Sequence, residues 1–208
     1  MSQFASQPTS TAAGTVVLVP GWLDTEETLR PLAQALDGRS WRTIVISPQP
    51  SDGTVSLEAL AEQVDSRLQA ILEPDAPFMF VGFSMGGLIG RIYLQSMNGY
   101  RRIQRFVTIA TPHRGTLAAY LFDRPAMREM RPGSTFLSRL NGDLSRLAAV
   151  PFVSIWSALD LTIIPATNSI LPVGMSWHIL SPAHAFMPFD PRVHRAVARA
   201  VGQVSPLV

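Results

Sequence analysis

The chain has 208 residues, of which 47% are hydrophobic and 15% charged, a composition typical of one compact globular domain. Its 17 basic residues, all arginine, nearly balance 15 acidic ones, so the net charge of +2 gives no support for nucleic-acid binding. The sequence has no cysteine, which excludes a disulfide framework, a thiolate metal site and a cysteine nucleophile.

The first fourteen residues are small and mostly polar, without the basic start and apolar core of a signal peptide. We expect residues 1–14 to be a disordered segment ahead of a single domain over residues 15–208. No run of the sequence approaches the roughly 20 apolar residues that span a bilayer. These features predict a soluble, cytoplasmic protein without a transmembrane segment.

Short β-branched runs alternate with longer amphipathic stretches from residue 15 onward. This rhythm predicts a doubly wound, mostly parallel α/β sheet of about six strands, with helices on both faces. The predicted strands cover 15–19, 42–46, 77–81, 103–109, 151–156 and 176–180. The predicted helices cover 25–36, 56–72, 87–97 and 191–201.

The rhythm breaks between Pro112 and Ala149, where prolines and glycines separate short helical fragments and no strand is predicted. We expect residues 113–149, called the insertion below, to cross the strand ends as a short helical cap or lid. Long connections in compact domains are frequently lids or pocket walls. An insertion without a function is the alternative.

The most informative motif is Gly-Phe-Ser-Met-Gly at residues 82–86, which has the pattern Gly-x-Ser-x-Gly. Such a motif between a strand and a helix holds its serine on a sharp turn with strained dihedrals, and the glycines at 82 and 86 let the two elements pass closely. A bare match also occurs in ordinary glycine-rich turns. The predicted strand before it and helix after it favour Ser84 as a catalytic nucleophile.

A serine hydroxyl needs a neighbouring base, normally a histidine that a carboxylate orients. Of the four histidines, His184 is favoured because its predicted loop follows a late strand. His178 falls in the sixth predicted strand and is better explained as a packed residue. His194 lies in the last helix and is better explained as a surface or hydrogen-bonded residue. His113 follows the fourth strand and stays an alternative base.

The candidate carboxylate is Asp160, directly after the fifth predicted strand. It gives the chain order of serine, acid and histidine, although an aspartate at such a position is most often a cap or turn former. Asp123 and Asp143 belong to the insertion. Asp190 stands close to a predicted helix start, where capping explains it.

The tetrahedral intermediate of acyl transfer needs amide donors for its oxyanion. The backbone of Met85, directly after the nucleophile, is the first candidate, and the backbone of Trp22, in the loop after the first strand, is the second. Because only backbone groups are needed, both side chains are free to line an apolar acyl pocket. Packing of Trp22 on the core is the alternative, and the two roles are compatible.

Together these stretches resemble the α/β-hydrolase superfamily, in particular its lipase- and esterase-like serine hydrolases. Val-Gly-Phe-Ser-Met-Gly-Gly resembles the nucleophile elbow, and Ile-Ala-Thr-Pro-His-Arg-Gly-Thr the strand-end loop that follows it. Met-Arg-Pro-Gly-Ser-Thr-Phe-Leu resembles the start of the lid, Ala-Leu-Asp-Leu-Thr-Ile-Ile-Pro the acid loop, and the region from His184 to Pro191-Arg-Val the histidine loop with its helix. The resemblance implies a triad of Ser84, Asp160 and His184, with Trp22 and Met85 as oxyanion donors.

The implied activity is hydrolysis of esters with an apolar acyl group through an acyl-enzyme, which requires no cofactor and no metal. Members commonly carry His-Gly where this chain has Pro20-Gly21, so a side chain that often braces the loop is missing. The insertion is short, which argues against a large movable lid with strong interfacial activation.

The expected partner is a small-molecule ester or lipid, with no nucleic acid, and the oligomeric state is left open. Acyl transfer, and cleavage of a thioester or an amide, use the same triad and stay open as alternatives. A non-catalytic binding protein on the same scaffold is the alternative of another class. Transient membrane contact is a further option, suggested by Leu117, Tyr120, Leu121 and Phe122, although these could equally form a helix face packed inward.

Overall fold

The computed structural model describes residues 14–39 and 41–202. Residues 1–13 of the predicted disordered segment lie outside the described residues. Within the described residues, six strands form one sheet in the order β2-β1-β3-β4-β5-β6, and all neighbouring strands are parallel. The strands are β1 Thr15–Val19, β2 Arg42–Val45, β3 Phe78–Phe83, β4 Ile103–Ile109, β5 Phe152–Trp156 and β6 Met175–His178.

The helices are α1 Glu26–Asp37, α2 Leu57–Ile71, α3 Met85–Ser96, α4 Pro125–Glu129, α5 Thr135–Gly142, α6 Ser145–Ala148 and α7 Pro191–Gly202. Short 3-10 helices lie at Gly99–Arg101, Leu117–Leu121, Ala166–Ser169 and His184–Phe189. The parallel six-stranded sheet flanked by helices confirms the predicted fold class. None of the helices in the described part of the chain combines the length and the apolarity needed to cross a bilayer.

Two apolar layers cover the two faces of the sheet, and successive residues of β1 point into opposite layers. Val17 and Val19 pack in the layer that contains α2, α3 and the insertion. Val16 and Leu18 pack in the layer that contains α1 and α7. The central strand β3 is buried along its whole length, as expected of a parallel strand covered on both faces.

Element boundaries differ from the predictions mainly around the Gly-x-Ser-x-Gly motif. β3 continues to Phe83 and α3 begins at Met85, so the strand and the helix are separated by Ser84 alone. The predicted strand ends and the predicted helix begins two residues away on each side, because the prediction left all five motif residues, 82–86, outside both elements. At the sheet edge, β6 ends at His178, before the predicted end, because a tight turn from the Ser181 amide to the Ile179 carbonyl (2.8 Å) bends the chain.

The insertion is packed firmly on the domain through polar contacts as well as apolar ones. The guanidinium of Arg91 in α3 is fully buried, and it donates to the Leu140 carbonyl (2.9 Å) and to Asn141 Oδ1 (2.9 Å). Burial of the guanidinium lowers the pKa of Arg91 to about 9. The amide of Leu57 at the start of α2 donates to the Glu129 carboxylate (2.7 Å). The insertion therefore forms part of the core on this face of the sheet.

Close backbone approach explains the glycines of the motif. A Cβ atom at Gly86 would lie 2.2 Å from the Val19 carbonyl oxygen, and one at Gly82 would lie 2.5 Å from the Gly87 nitrogen. Both distances are far below van der Waals contact. The atoms that a Cβ would meet belong to the backbone, so they cannot move independently. The contact at Gly82 confirms the predicted close passage of the strand and the helix on either side of Ser84. The contact at Gly86 shows in addition that the start of α3 lies directly against the end of β1.

We predict that Gly86→Ala lowers the free energy of unfolding by about 2 to 3 kcal/mol, because the added methyl group forces α3 away from β1. The matched control is Gly142→Ala at the end of α5, where an added Cβ meets no atom within 4 Å. Urea unfolding of both variants measures the difference. Equal stabilities of the two variants would contradict the proposed close approach.

Candidate active site

Three predicted site residues meet at the carboxyl edge of the sheet. Ser84 follows β3, Asp160 lies in the loop after β5, and His184 opens the 3-10 helix after β6. Ser84 Oγ lies 2.9 Å from His184 Nε2, and His184 Nδ1 lies 2.7 Å from Asp160 Oδ2. Both distances are hydrogen-bond distances, so two consecutive hydrogen bonds connect the three side chains.

The surroundings of Asp160 determine which histidine nitrogen carries the proton. Asp160 is 4% exposed, and its Oδ1 accepts hydrogen bonds from the amides of Thr162 (2.8 Å) and Ile163 (2.9 Å). An ionised carboxylate can only accept, so Nδ1 of His184 donates to Oδ2 and Nε2 is left as an acceptor. The imidazole also packs against the Phe83 ring, with 5.0 Å between the ring centres. His184 therefore presents a basic nitrogen to the Ser84 hydroxyl.

Ser84 has a backbone conformation that side chains rarely adopt, with φ 53° and ψ −122°. Two backbone hydrogen bonds hold it: the Ser84 amide donates to the Ile109 carbonyl (2.8 Å), and the Gly87 amide donates to the Ser84 carbonyl (3.0 Å). The turn directs the hydroxyl towards His184, as the motif predicts.

Backbone amides suited to an oxyanion flank Ser84 on two sides. Met85 is the first residue of α3, so its amide has no intrahelical acceptor and lies at the positive end of the helix. On the other side, a Cβ atom at Gly21 would lie only 2.9 Å from Ser84 Cβ, which brings the Trp22 peptide next to Ser84. Within the described residues, the Trp22 amide donates to no protein acceptor.

The Trp22 side chain is held independently of its backbone. Its Nε1 donates to the Asp52 carbonyl (2.8 Å), and its ring packs against Phe122 of the insertion, with 4.8 Å between ring centres. The indole also lines the cavity and packs on the core layer of α2 and α3. Both roles considered from the sequence, pocket lining and core packing, are therefore present together.

A largely apolar cavity of about 510 Å³ opens at Ser84. Its walls come from the loop after β1, the acid loop, the histidine loop and the insertion. The insertion contributes Thr116, Ala118, Ala119, Leu121, Phe122, Met127 and Met130. The insertion thus forms a pocket wall, and the side chains of Trp22 and Met85 line the same cavity.

Sequence reasoning missed one charged side chain of this cavity, Asp24. Its Oδ2 accepts a hydrogen bond from the Gly21 amide (3.1 Å), and its Oδ1 accepts one from the Thr28 hydroxyl (3.0 Å). Burial raises the pKa of Asp24, and these hydrogen bonds and the nearby His184 oppose that rise. The available signal was the spacing Gly-x-x-Asp directly after the first strand.

The alternative base, His113, lies in the core and does not line the cavity. Its side chain is fully buried, its Nε2 lies 3.0 Å from Thr108 Oγ1, and its ring meets the Phe152 ring edge-on. Burial and the nearby Arg91 cation lower the pKa of His113 well below 6.5. The structure therefore separates His113 from Ser84.

The remaining histidines take no part in the site. The prediction that His178 is packed inside is wrong: it is exposed on the edge strand β6, where it stacks on Trp156 and accepts from the Ala158 amide (3.2 Å). His194 Nε2 makes a hydrogen bond with the Pro188 carbonyl (2.7 Å), which agrees with a satisfied helix residue.

The other aspartates considered from the sequence also have local partners. Asp190 accepts from the Arg192 amide (2.9 Å) at the start of α7, which agrees with capping. Asp143 accepts from the Ser145 amide (2.9 Å) at the start of α6. Asp123 is an exposed residue of the insertion that pairs with Arg128 (2.6 Å).

Known proteins were compared with the chain and with its fold. A family model described as palmitoyl protein thioesterase matches residues 15–136, more than half of the chain. The chain belongs to this family of α/β-hydrolases. The matched range contains the nucleophile motif and ends before Asp160 and His184. Among curated proteins, none matches the sequence.

Solved structures of lipases and esterases share the fold at low sequence identity. Lipase B of Aspergillus fumigatus has a TM-score of 0.78 and 17% identity over 91% of this chain, which spans 52% of that enzyme. The mature lipase BlEst2 of Bacillus licheniformis has a TM-score of 0.69 and 15% identity, covering 89% of this chain and 94% of its own. The metagenomic carboxyl esterase MGS0156 has a TM-score of 0.68 and 17% identity, covering 83% of this chain and 64% of its own. These neighbours and the family match confirm the resemblance to lipase- and esterase-like α/β-hydrolases.

We predict that Asp160→Asn lowers kcat for an ester by roughly 1,000- to 10,000-fold with little change in KM. The amides of Thr162 and Ile163 retain the side-chain oxygen, so the amide nitrogen faces His184 Nδ1 and forces the proton onto Nε2. The exposed Asp123→Asn serves as the matched control, with wild-type kcat expected. Hydrolysis of a 4-nitrophenyl ester measures both, and wild-type kcat in Asp160→Asn would contradict the assignment.

Proposed function

We propose that this protein hydrolyses carboxylic esters with an apolar acyl group through a covalent acyl-enzyme on Ser84. The observation that carries this proposal is the hydrogen-bonded series from Ser84 Oγ to His184 (2.9 Å) and from His184 to Asp160 (2.7 Å). Ser84 and His184 of this series line an apolar cavity. Family membership supports a hydrolase. The triad and the oxyanion donors remain the assignment proposed here.

In the proposed acylation step, Ser84 Oγ attacks the ester carbonyl carbon while His184 Nε2 takes the hydroxyl proton. The carbonyl oxygen becomes an oxyanion, and Asp160 stabilises the imidazolium that forms. When the tetrahedral intermediate collapses, the bond to the leaving oxygen breaks and His184 returns its proton to that oxygen. Water then attacks the acyl-enzyme carbonyl while His184 Nε2 takes its proton. The bond between Ser84 Oγ and the acyl carbon breaks, the carboxylic acid leaves, and His184 returns the proton to Ser84 Oγ.

The oxyanion is assigned to the amides of Met85 and Trp22. Donors that are already fixed in place stabilise the developing charge without reorganising, and one such donor contributes roughly 100- to 1,000-fold in kcat. Met85 is fixed by the start of α3, and Trp22 by the loop that packs Gly21 against Ser84.

The cavity favours an apolar acyl group because its walls are largely aliphatic and aromatic. Each methylene that moves from water into such a cavity contributes about 0.8 kcal/mol, a factor of roughly four in binding. The only charged or titratable side chains in the lining, among the described residues, are Asp24 and His184. An extended hydrocarbon chain therefore suits this cavity better than a polar acyl group.

Thioester hydrolysis is the second candidate, because the matching family model is described as palmitoyl protein thioesterase. The same attack by Ser84 applies, with sulfur in place of oxygen as the leaving atom. Comparing kcat/KM for ethyl octanoate with kcat/KM for the octanoyl thioester of N-acetylcysteamine separates esterase from thioesterase activity. The two substrates differ in intrinsic reactivity, which the ratio of their rates of hydrolysis by hydroxide measures. A ratio of thioester to ester kcat/KM far above that uncatalysed ratio would favour the thioesterase.

Acyl transfer and amide cleavage stay open as uses of the same triad, and a non-catalytic protein is the alternative class.

Lipid contact at the cavity entrance is also proposed. Leu117, Tyr120 and Leu121 are 53%, 57% and 78% exposed, so they do not form an inward-packed face. Leu161 of the acid loop is 82% exposed at the same cavity. Sedimentation with neutral phospholipid vesicles tests this contact, with Leu121→Ser expected to sediment less than the wild type.

The cytoplasmic location expected from the sequence stays a prediction.

We predict that Ser84→Ala abolishes hydrolysis of 4-nitrophenyl octanoate, because it removes the attacking oxygen. The thermal unfolding midpoint should stay within a few degrees of the wild type, since the change deletes a single oxygen atom from a residue that is 8% exposed. Retained activity in Ser84→Ala would remove the proposed nucleophile.

We predict that Ala119→Leu shifts the preferred acyl chain to shorter lengths, because Ala119 is a buried part of the cavity wall. The kcat/KM of long-chain 4-nitrophenyl esters should fall roughly fourfold for each excluded methylene, while the acetate ester is unaffected. Ala148→Leu, on the exposed side of α6, is the matched control. An unchanged chain-length profile in Ala119→Leu would show that the acyl group binds elsewhere.

A further inference from the structure

Asp24 is a charged group of the cavity that the proposed reaction does not use. Among the described residues it forms no ion pair, and burial raises the pKa of its carboxyl group. Asp24 is half-buried, and partial burial of a carboxylate without a cation costs free energy that hydrogen bonds offset. Both oxygens are occupied, Oδ2 by the Gly21 amide (3.1 Å) and Oδ1 by the Thr28 hydroxyl (3.0 Å).

Asp24 holds both sides of Gly21. Its carboxylate accepts from the Gly21 amide, and its own backbone amide donates to the Gly21 carbonyl (3.3 Å). That carbonyl shares a planar, trans peptide unit with the Trp22 amide, so the Trp22 N–H points away from the Gly21 oxygen. The backbone hydrogen bond therefore holds the peptide unit that carries the Trp22 N–H, while the carboxylate holds the preceding peptide unit through the Gly21 amide. Together they restrict both backbone dihedrals of Gly21, and without the carboxylate the Trp22 N–H can turn about Gly21. The loop of residues 20–24 is called the oxyanion loop below.

Gly21 is wedged between Asp24 and the nucleophile. A Cβ atom at this position would lie 2.9 Å from Asp24 Oδ2 and 2.9 Å from Ser84 Cβ. The preceding residue is Pro20, which has no backbone N–H and no polar side chain to brace the loop. Leu23 has a positive φ of 60°, and its amide donates to the Ser51 carbonyl (3.0 Å), so the far side of the loop is strained and anchored.

We propose that Asp24 is a positioning residue whose carboxylate holds Gly21 so that the Trp22 amide stays aimed at the oxyanion beside Ser84. This inference rests on the proposed serine-hydrolase function. The Asp24 carboxylate supplies a polar side-chain contact to this loop, in which Pro20 has no polar side chain. It acts through the geometry of its acceptor oxygen rather than through its charge, since a negative charge this close would oppose the oxyanion.

Three substitutions of Asp24 separate the geometry of its acceptor oxygen from its charge. Asp24→Asn keeps an acceptor oxygen for the Gly21 amide, and the Thr28 hydroxyl can rotate to accept from the new amide group. Asp24→Glu keeps the charge but moves the acceptor by one methylene. Positioning predicts a kcat within about threefold of the wild type for Asn, and a loss of roughly 10- to 100-fold for Glu and for Asp24→Ala, with KM unchanged.

Ketone inhibitors give a second measurement that general damage to the cavity does not reproduce. An octyl trifluoromethyl ketone adds to a serine hydroxyl as a tetrahedral oxyanion, whereas the matching octyl methyl ketone binds as a planar carbonyl. In Asp24→Glu and Asp24→Ala, Ki for the trifluoromethyl ketone should rise in parallel with the loss of kcat, and Ki for the methyl ketone should not change.

The outcomes are distinct. Wild-type kcat in Asp24→Glu and Asp24→Ala would overturn the positioning role, and so would equal impairment of Asp24→Asn and Asp24→Ala, which would assign the effect to charge. A parallel rise in Ki for both ketones would show damage to the cavity and overturn the inference. If the wild-type enzyme binds the two ketones equally, Ser84 does not attack a carbonyl, and the proposed function fails together with the inference.

Discussion

The close approach of α3 to the end of β1 is the constraint on which the rest of the structure depends. Ser84 is the single residue between the end of β3 and the start of α3, so the whole change of direction takes place at this one residue, which has a positive φ. Such a conformation persists only where the surroundings enforce it. Two features enforce it here. The backbone packs closely at Gly82 and Gly86, which have no side chains, and the Ser84 amide donates to the Ile109 carbonyl in the neighbouring strand.

The parallel sheet then brings distant parts of the chain to the same place. Because all six strands run in the same direction, the loops after β1, β3, β5 and β6 meet at one edge. Asp160 and His184 come from strands on one side of β3, and the oxyanion loop comes from β1 on the other side. The insertion closes the cavity above them, and Arg124 ties it to the Asp52 carbonyl (2.7 Å), which also accepts from the Trp22 indole (2.8 Å).

The sequence allowed the fold and most of the candidate site to be predicted, because both depend on local patterns. The nucleophile motif needs only a strand, a turn and a helix in succession, and Asp160 and His184 follow strand ends whose direction the parallel fold determines. His113 could not be resolved from the sequence, since a histidine after a strand can lie in the cavity or under it. His178 was misjudged because the alternation of a strand does not reveal that it forms the sheet edge.

Asp24 was missed for a related physical reason. Its importance comes from a closed loop in which its side chain and its backbone both hold Gly21, and no periodicity reports such a closure. The lack of a polar side chain at Pro20 was visible in the sequence, but the contacts of Asp24 with Gly21 became visible only in three dimensions. Polar groups that hold backbone peptides in irregular loops are therefore the part of a site that sequence patterns describe least.

Labelling with a fluorophosphonate tests the central claim most directly, because this reagent phosphonylates a serine only where a neighbouring base activates it. The protein would be labelled to increasing extents, the modified residue located by peptide mass spectrometry, and ester hydrolysis measured on each sample. The structure predicts one label per chain on Ser84, with activity falling in proportion to labelling. Label on another residue, or full ester hydrolysis by completely labelled protein, would contradict the proposed active site.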